Sequence, residues 1–176
     1  MQSRSSHSTL SPDLPSIDDL SRKNTAEQRY AVLSVAAVDF AQLIEAAGAQ
    51  DVLDAIARYF KVSNENLHDI IDRSSPFFLR AYQDWMDRRG GIQQLNDLVY
   101  SGGPQQFAER PGLVTASLTQ QEGRALLTNL FPNDEAVDNV TKEVASSLRI
   151  RLETIRGLMP HLAALFVGVL CKSIAQ

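Results

Sequence analysis

The chain has 176 residues, of which 44% are hydrophobic and 22% charged, and its formal net charge is −4. This length and composition suit one soluble domain or two small halves that share a core, and the negative charge offers no global attraction for nucleic acid. The single cysteine, Cys171, excludes an internal disulfide and a cysteine-based metal cage, so we expect a cytoplasmic protein.

The first 24 residues are rich in serine and hold no apolar run. We expect residues 1–24 to form a disordered tail, because such a composition buries too little apolar surface to fold. A secretory signal would need a continuous apolar segment, and the longest one in the chain, 162–171, is about half of the ~20 residues that span a bilayer. We therefore predict no membrane span.

The apolar spacing between residues 25 and 100 predicts five helices. Thr25 and Gln28 have capping-box spacing at the start of the first helix, which should run to Gly48. A second helix should begin near Asp51, and a third should follow the turn at Ser63. Ser75 and Pro76 predict the start of a fourth helix, ending at Gly90 and Gly91, and a fifth follows around Leu95.

Residues 101–118 hold three glycines and two prolines, which predicts a connecting loop with at most a short turn around Phe107. Beyond it, Thr119 and Glu122 form a second capping box, and Asn133 or Asp134 caps a further helix. A short helix should end before Pro160, which would open the last helix. That helix is almost wholly apolar and should lie in the core or at a dimer contact.

The two halves of the chain are similar when one is shifted by 88 residues. The shift places Val52 on Val140, Ile56 on Val144, Ala57 on Ala145, Lys61 on Arg149 and Val62 on Ile150. The similarity indicates a duplicated helical unit. We predict an all-α fold of about nine helices in two similar units that share a core, with boundaries at 1–24 (tail), 25–100 (first unit), 101–118 (connecting loop) and 119–176 (second unit).

The last 50 or so residues resemble the C-terminal core of the bacterial YidB-like family of uncharacterised proteins. The resemblance rests on Leu126 and Leu127, on Val144 and Ala145, on the Leu-Met-Pro at 158–160, and on Gly168. In this family a glycine usually precedes the turn where this chain has Arg149. The resemblance implies an all-helical protein and supplies no reaction or catalytic residues.

Both units carry the spacing of a helix-turn-helix, which raises the possibility of DNA binding. The first unit presents mostly acidic and amide side chains on its second helix, which would repel the phosphates. The second offers Arg149, Arg151 and Arg156 at residues 144–159. A nucleic-acid-binding protein that uses these arginines is the alternative function, although a purely structural helical corner is favoured.

The sequence contains none of the short motifs that specify catalysis, nucleotide binding or zinc binding. His68 and Asp72 lie four residues apart, as half of a metal site would, but a solvated surface pair is the more ordinary interpretation. We therefore predict no enzyme, no cofactor and no metal. An enzyme with a pocket between the two halves is a third hypothesis and the one that we favour least.

The aromatic residues Phe77, Phe78, Tyr82 and Trp85 make one predicted helix apolar over more than one face. A wide stripe that faces the core is the favoured explanation, and an exposed interface is the alternative. If exposed, these residues would bind a protein partner or a second copy. The leading hypothesis is thus a non-catalytic interaction module that binds a protein through apolar helical surface.

Overall fold

A computed structural model describes residues 39–176, which are helical along almost their whole length. Within that range the elements are eight α-helices and one 3₁₀ turn. They are α1 (Phe40–Ala47), α2 (Gln50–Phe60), α3 (Asn64–Asp87), α4 (Gly91–Ser101), α5 (Gly103–Glu109), the 3₁₀ turn (Pro111–Thr115), α6 (Ser117–Leu130), α7 (Asp134–Leu148) and α8 (Leu152–Ala175). The all-α prediction is confirmed. The predicted tail at 1–24 and the predicted capping box of Thr25 and Gln28 lie outside the described residues.

Helix α8 is the centre of the fold. Every residue from Leu158 to Cys171 is buried, and α8 packs against the other seven helices of the described range. A helix that is apolar on all sides can satisfy its surface only when neighbours surround it. The prediction that the last helix occupies the core is confirmed.

An aromatic cluster joins α1, α3 and α8. The ring of Phe166 on α8 has its centroid 5.0 Å from that of Phe40 and 5.3 Å from that of Phe78. Phe78 also lies 5.7 Å from Phe131, and Tyr82 lies 6.4 Å from Phe166. Centroid distances of this size are those of favourable aromatic pairs, and the rings bury large apolar areas. The cluster therefore ties the beginning of the described range to its end.

Local capping residues begin two of the helices as predicted. The Ser63 hydroxyl accepts a hydrogen bond from the Asn66 amide at the start of α3 (3.1 Å), and the Asn133 side chain accepts one from the Ala136 amide at the start of α7 (2.8 Å). Each side chain satisfies a backbone donor that the first helical turn leaves unpaired. The predictions for these two helix starts are confirmed.

Both predictions of a helix start at a proline are wrong. Pro76 lies inside the 24 residues of α3, and Pro160 lies inside the 24 residues of α8. An internal proline removes one helical hydrogen bond and costs about 3 kcal/mol. Here buried side chains lie on both sides of each proline, such as Ile71 and Phe78 in α3. We infer that tertiary packing holds each helix continuous despite that cost.

The connecting loop predicted at 101–118 is largely helical instead. Residues 103–109 form α5, residues 111–115 form the 3₁₀ turn, and α6 already begins at Ser117. Pro104 lies in the first turn of α5, where its missing N–H costs nothing, and Phe107 is buried. Thr119 does not cap α6, because the helix already begins at Ser117 and Thr119 lies in its first turn; its hydroxyl donates to the Leu113 carbonyl at 2.6 Å.

Candidate functional site

Small residues on one face of α8 let two helices approach it closely. Pro160, Ala164 and Gly168 are spaced by four residues and lie on that face. A Cβ atom on Gly168 would lie 2.5 Å from the Pro104 carbonyl oxygen, and one on Gly123 of α6 would collide with the Pro160 carbonyl. Helix α5 therefore crosses α8 at Gly168, and α6 crosses it at Pro160. Ala164 lies between the two crossings.

An open apolar cavity of about 260 Å³ lies over Ala164. We call it the Ala164 groove. Ala164 is the one lining residue that comes from α8. Residues of α4 and α5 line one side of the groove, and residues of α6 line the other. The lining residues are Leu98, Ser101, Gly103, Pro104, Phe107, Thr119, Glu122, Ala125, Leu126, Asn129 and Ala164. Most of this surface is apolar, as is usual for a binding pocket.

Few polar groups of the groove are available to a ligand. The Ser101 hydroxyl donates to the Leu98 carbonyl at 2.8 Å, and the Thr119 hydroxyl donates to Leu113, so both hydroxyl protons are already used. The side chains of Glu122 and Asn129 make no hydrogen bond or ion pair with any residue of the described range. Glu122 thus supplies the one charge of the groove.

An exposed leucine extends the α6 wall of the groove. Leu118 precedes Glu122 by one helical turn on the same face, and 59% of its surface is exposed. Ala125 and Asn129 continue this face toward the end of α6. The wall is therefore a solvent-exposed stripe in which the apolar Leu118 and Ala125 alternate with the Glu122 carboxylate and the Asn129 amide.

Three of the four aromatic residues considered for partner binding are buried, so the exposed interface is wrong for them and the favoured interpretation, a stripe that faces the core, is correct. Phe78, Tyr82 and Trp85 are 0%, 3% and 1% exposed, and Phe77 is half-buried. The Trp85 indole N–H donates to the Gln94 side chain at 2.8 Å, which joins α3 to α4. The rings of Phe78 and Tyr82 contact Phe166 of α8, because α3 is one long helix whose apolar stripe packs inward. Phe78, Tyr82 and Trp85 are core residues and form no surface for a partner.

The three predicted arginines lie at the corner between α7 and α8. All three are exposed, and Arg156 forms an ion pair with Asp138 at 3.6 Å. Beyond Gly157 the α8 helix is buried, so the free face that a recognition helix needs is confined to its first residues, 152–157. Of these three arginines, Arg149 and Arg151 form no ion pair within the described residues.

His161 is a buried histidine that links α8 to the 3₁₀ turn. Its Nε2 atom lies 2.9 Å from the Val114 carbonyl oxygen, and its ring packs against Phe60 at 4.9 Å. Burial lowers the pKa of His161 below its usual value of 6.5, and the carbonyls of Val114 and Gly157 raise it by less. The imidazole is therefore neutral at pH 7 and serves the packing of the fold.

The other groups considered for chemistry are isolated. His68 is exposed, and its Nδ1 atom lies 2.7 Å from the Asn64 carbonyl oxygen of its own helix. Among residues 39–176 there is no group of three or more histidine, cysteine, aspartate or glutamate side chains that could hold a metal. Cys171 is buried in α8 as predicted, and burial raises the pKa of its thiol to about 12.

Helix α8 also meets the length and composition of a membrane span. Its mean hydropathy over the most apolar window is 1.7, and 83% of that window is buried inside the fold. A core helix of a globular protein has the same properties, so this is weak evidence for a membrane location.

Sequence reasoning missed the groove because it assigned 101–118 to a loop. The signal that could have found it is Gly102 followed by Gly103 and Pro104, the sequence of a helix end followed by a new helix start. Gly168 lies at a close helix crossing in the structure. A glycine in an apolar helix does not by itself indicate which helix crosses there.

No protein-family model, no curated protein and no solved structure matches the chain. The resemblance to the YidB-like family therefore stays a prediction, as do a bacterial origin and a cytoplasmic location.

Proposed function

We propose that this protein is a non-catalytic interaction module that binds a protein partner in the Ala164 groove. The carrying observation is an open apolar cavity of about 260 Å³ whose α6 wall continues into the exposed Leu118. Exposed apolar surface beside a groove is characteristic of interaction sites. The interaction surface thus lies between α4, α5 and α6 and not on the aromatic stripe of α3.

The polar groups of the groove favour binding over catalysis. Nucleophilic catalysis usually pairs a nucleophile with a base in hydrogen-bond reach, and acid–base catalysis needs a titratable side chain positioned against the reacting group. Glu122 is the one titratable side chain that lines the groove, and the hydroxyls of Ser101 and Thr119 donate to backbone carbonyls. This arrangement supports a module that binds without reacting.

A direct test is selection of peptides displayed on phage against the full-length protein, followed by affinity measurement with a groove-filling variant. Ala125 is exposed on the α6 wall, so Ala125→Trp should fill the groove without disturbing the core. We expect selected peptides to bind the unmodified protein and to lose at least about tenfold in affinity for Ala125→Trp, as hot-spot contacts do.

The matched control is Gln120→Trp on the same helix. Gln120 is exposed and lies on the other side of α6 from the groove, so it introduces the same side chain away from the site. Peptide affinity should be unchanged in this variant. The proposal fails if no peptide is enriched, or if the enriched peptides bind Ala125→Trp as tightly as the unmodified protein.

Self-association is tested by the solution mass from light scattering. A mass above the 19.4 kDa monomer that returns to the monomer in Ala125→Trp would identify a second copy as the partner. A monomer in both proteins would indicate a different protein as the partner.

We also propose that the corners around Lys61 and Arg149 descend from a duplicated unit. The backbone turns in the same way at both, and the Val62 and Ile150 amides each donate to the carbonyl five residues earlier at 3.0 Å. These residues coincide under the shift of 88 residues that aligns the apolar positions. The duplication concerns the scaffold, whereas the Ala164 groove involves α4 to α6.

A further inference from the structure

We propose that the partner segment of the Ala164 groove is an amphipathic helix that inserts a large apolar side chain and pairs a lysine or arginine with Glu122. This inference rests on the proposed function and adds the chemistry of the partner. Its basis is the position of a single unpaired carboxylate, Glu122, between the apolar side chains of Leu118 and Ala125 on the α6 wall.

The charge of Glu122 is not neutralised within the described residues. The three ion pairs of that range involve Asp138 with Lys142 and Arg156, and Glu109 with Lys172. The nearest cation along α6 is Arg124, which lies about 200° around the helix from Glu122 and so points away from the groove. A partner that approaches the groove therefore meets one uncompensated negative charge.

The position of the carboxylate defines where the partner's cation must lie. Glu122 is one turn from Leu118 and about one turn from Ala125, so it lies between two apolar contacts along the wall. A partner with only apolar side chains would desolvate this carboxylate without compensation, which is unfavourable. A lysine or arginine three or four residues from an apolar anchor matches both the apolar wall and the charge.

The size and shape of the groove favour side chains of a helix over a compact small molecule. Its volume of about 260 Å³ is below the ~300–1,000 Å³ of usual small-molecule sites. Its walls are helices, and α6 carries the contact stripe along its length over residues 118–129. Helical partners fill such grooves with anchors at i, i+3, i+4 and i+7.

The test uses the peptides selected on the full-length protein and measures their affinity by fluorescence anisotropy at low and high salt. We expect the peptides that lose affinity for Ala125→Trp to share a lysine or arginine at a fixed spacing from a large apolar residue. Replacing that cation by glutamine, or making Glu122→Gln, should each weaken binding about fivefold at low salt. The two changes together should weaken it no more than one alone, because they remove the same pair.

Salt and a second glutamate provide the controls. High salt should shrink the difference between the unmodified protein and Glu122→Gln, since an exposed pair is screened. Glu143→Gln removes an exposed carboxylate of α7 outside the groove and should leave the affinity unchanged.

The outcomes separate this inference from the proposed function. Peptides that require an open groove but carry no common cation and ignore Glu122→Gln would overturn the inference and leave the interaction module standing. A dimer that Ala125→Trp converts to a monomer would show that a second copy occupies the groove. That result too would overturn the inference of a foreign helical partner. Failure to select any peptide sensitive to Ala125→Trp would overturn both proposals.

Discussion

Lys61 and Arg149 stand 88 residues apart and adopt the same left-handed backbone, with φ of 56° and 55°. Each follows directly on a helix and turns the chain into a helix of 24 residues. Glycine is the usual residue here, because a Cβ atom makes this conformation unfavourable by about 1–2 kcal/mol. The two positions therefore store strain at matching places in the fold.

Replacing either residue by glycine should stabilise the protein. We expect Lys61→Gly and Arg149→Gly each to raise the free energy of unfolding by about 0.5–1 kcal/mol, which is the relieved strain less the extra entropy of glycine in the unfolded chain. Urea denaturation measures the change, and the double variant should show the sum.

The control for this pair is Gln121→Gly in the interior of α6, where the backbone is helical and the side chain exposed. Glycine should cost about 0.5–1 kcal/mol there. If Lys61→Gly and Arg149→Gly lost stability as the control does, side-chain contacts of the two residues would outweigh the strain.

Gly168 should be sensitive to any added side chain, because α5 crosses α8 closely at this residue. An added methyl group would lie 2.5 Å from the Pro104 carbonyl oxygen and 3.4 Å from the Ala108 Cβ atom, both in a helix packed on α8. Overpacking of this kind costs about 1–3 kcal/mol, so Gly168→Ala should lower the free energy of unfolding, measured by urea denaturation, by that amount. Gly112→Ala is the control, because a Cβ atom there meets nothing within 4 Å. Equal stability of the two variants would show that α5 can shift away from α8 at no cost.

The sequence was informative where a local rule decides the structure. Ser63 and Asn133 begin helices because a side-chain oxygen beside a free amide is a local interaction, and the apolar pattern of the last helix requires burial on all sides. These features depend on neighbouring residues along the chain. Periodicity and capping therefore predicted them.

The errors arose where contacts distant in sequence decide the structure. Pro76 and Pro160 are ordinary helix starts by local rules, yet buried residues on both sides keep each helix continuous. Residues 101–118 look like a loop, but α5 forms because Phe107 packs into the core and α8 offers a glycine beneath Pro104. The groove depends on these contacts, so the sequence alone could not locate it.

The fold should conceal the thiol of Cys171 from reagents. Burial raises its pKa to about 12, so at pH 8 only about one molecule in ten thousand carries the reactive thiolate. We expect a thiol reagent to label the native protein no faster than it unfolds, and to label one thiol at once in concentrated guanidinium. Ser146→Cys, on the exposed face of α7, should label rapidly in the native state as a control. Rapid native labelling of Cys171 would show that α8 opens locally.

His161 should make the protein lose stability in mild acid. Its pKa is lowered in the folded state, chiefly by burial, whereas in the unfolded chain it is near 6.5. Below about pH 6.5 the unfolded state therefore binds a proton that the folded state does not, and stability falls as the pH falls until the folded pKa is reached. The slope is at most about 1.4 kcal/mol per pH unit.

Urea denaturation between pH 7.5 and 5 measures this slope in the unmodified protein and in His161→Gln. This variant keeps a side-chain amide that can donate to the Val114 carbonyl but does not titrate, so its slope should be shallower. The same slope in His161→Gln and the unmodified protein would contradict the prediction. It would mean that other groups carry the acid sensitivity and that the packing of the 3₁₀ turn on α8 does not depend on a neutral imidazole.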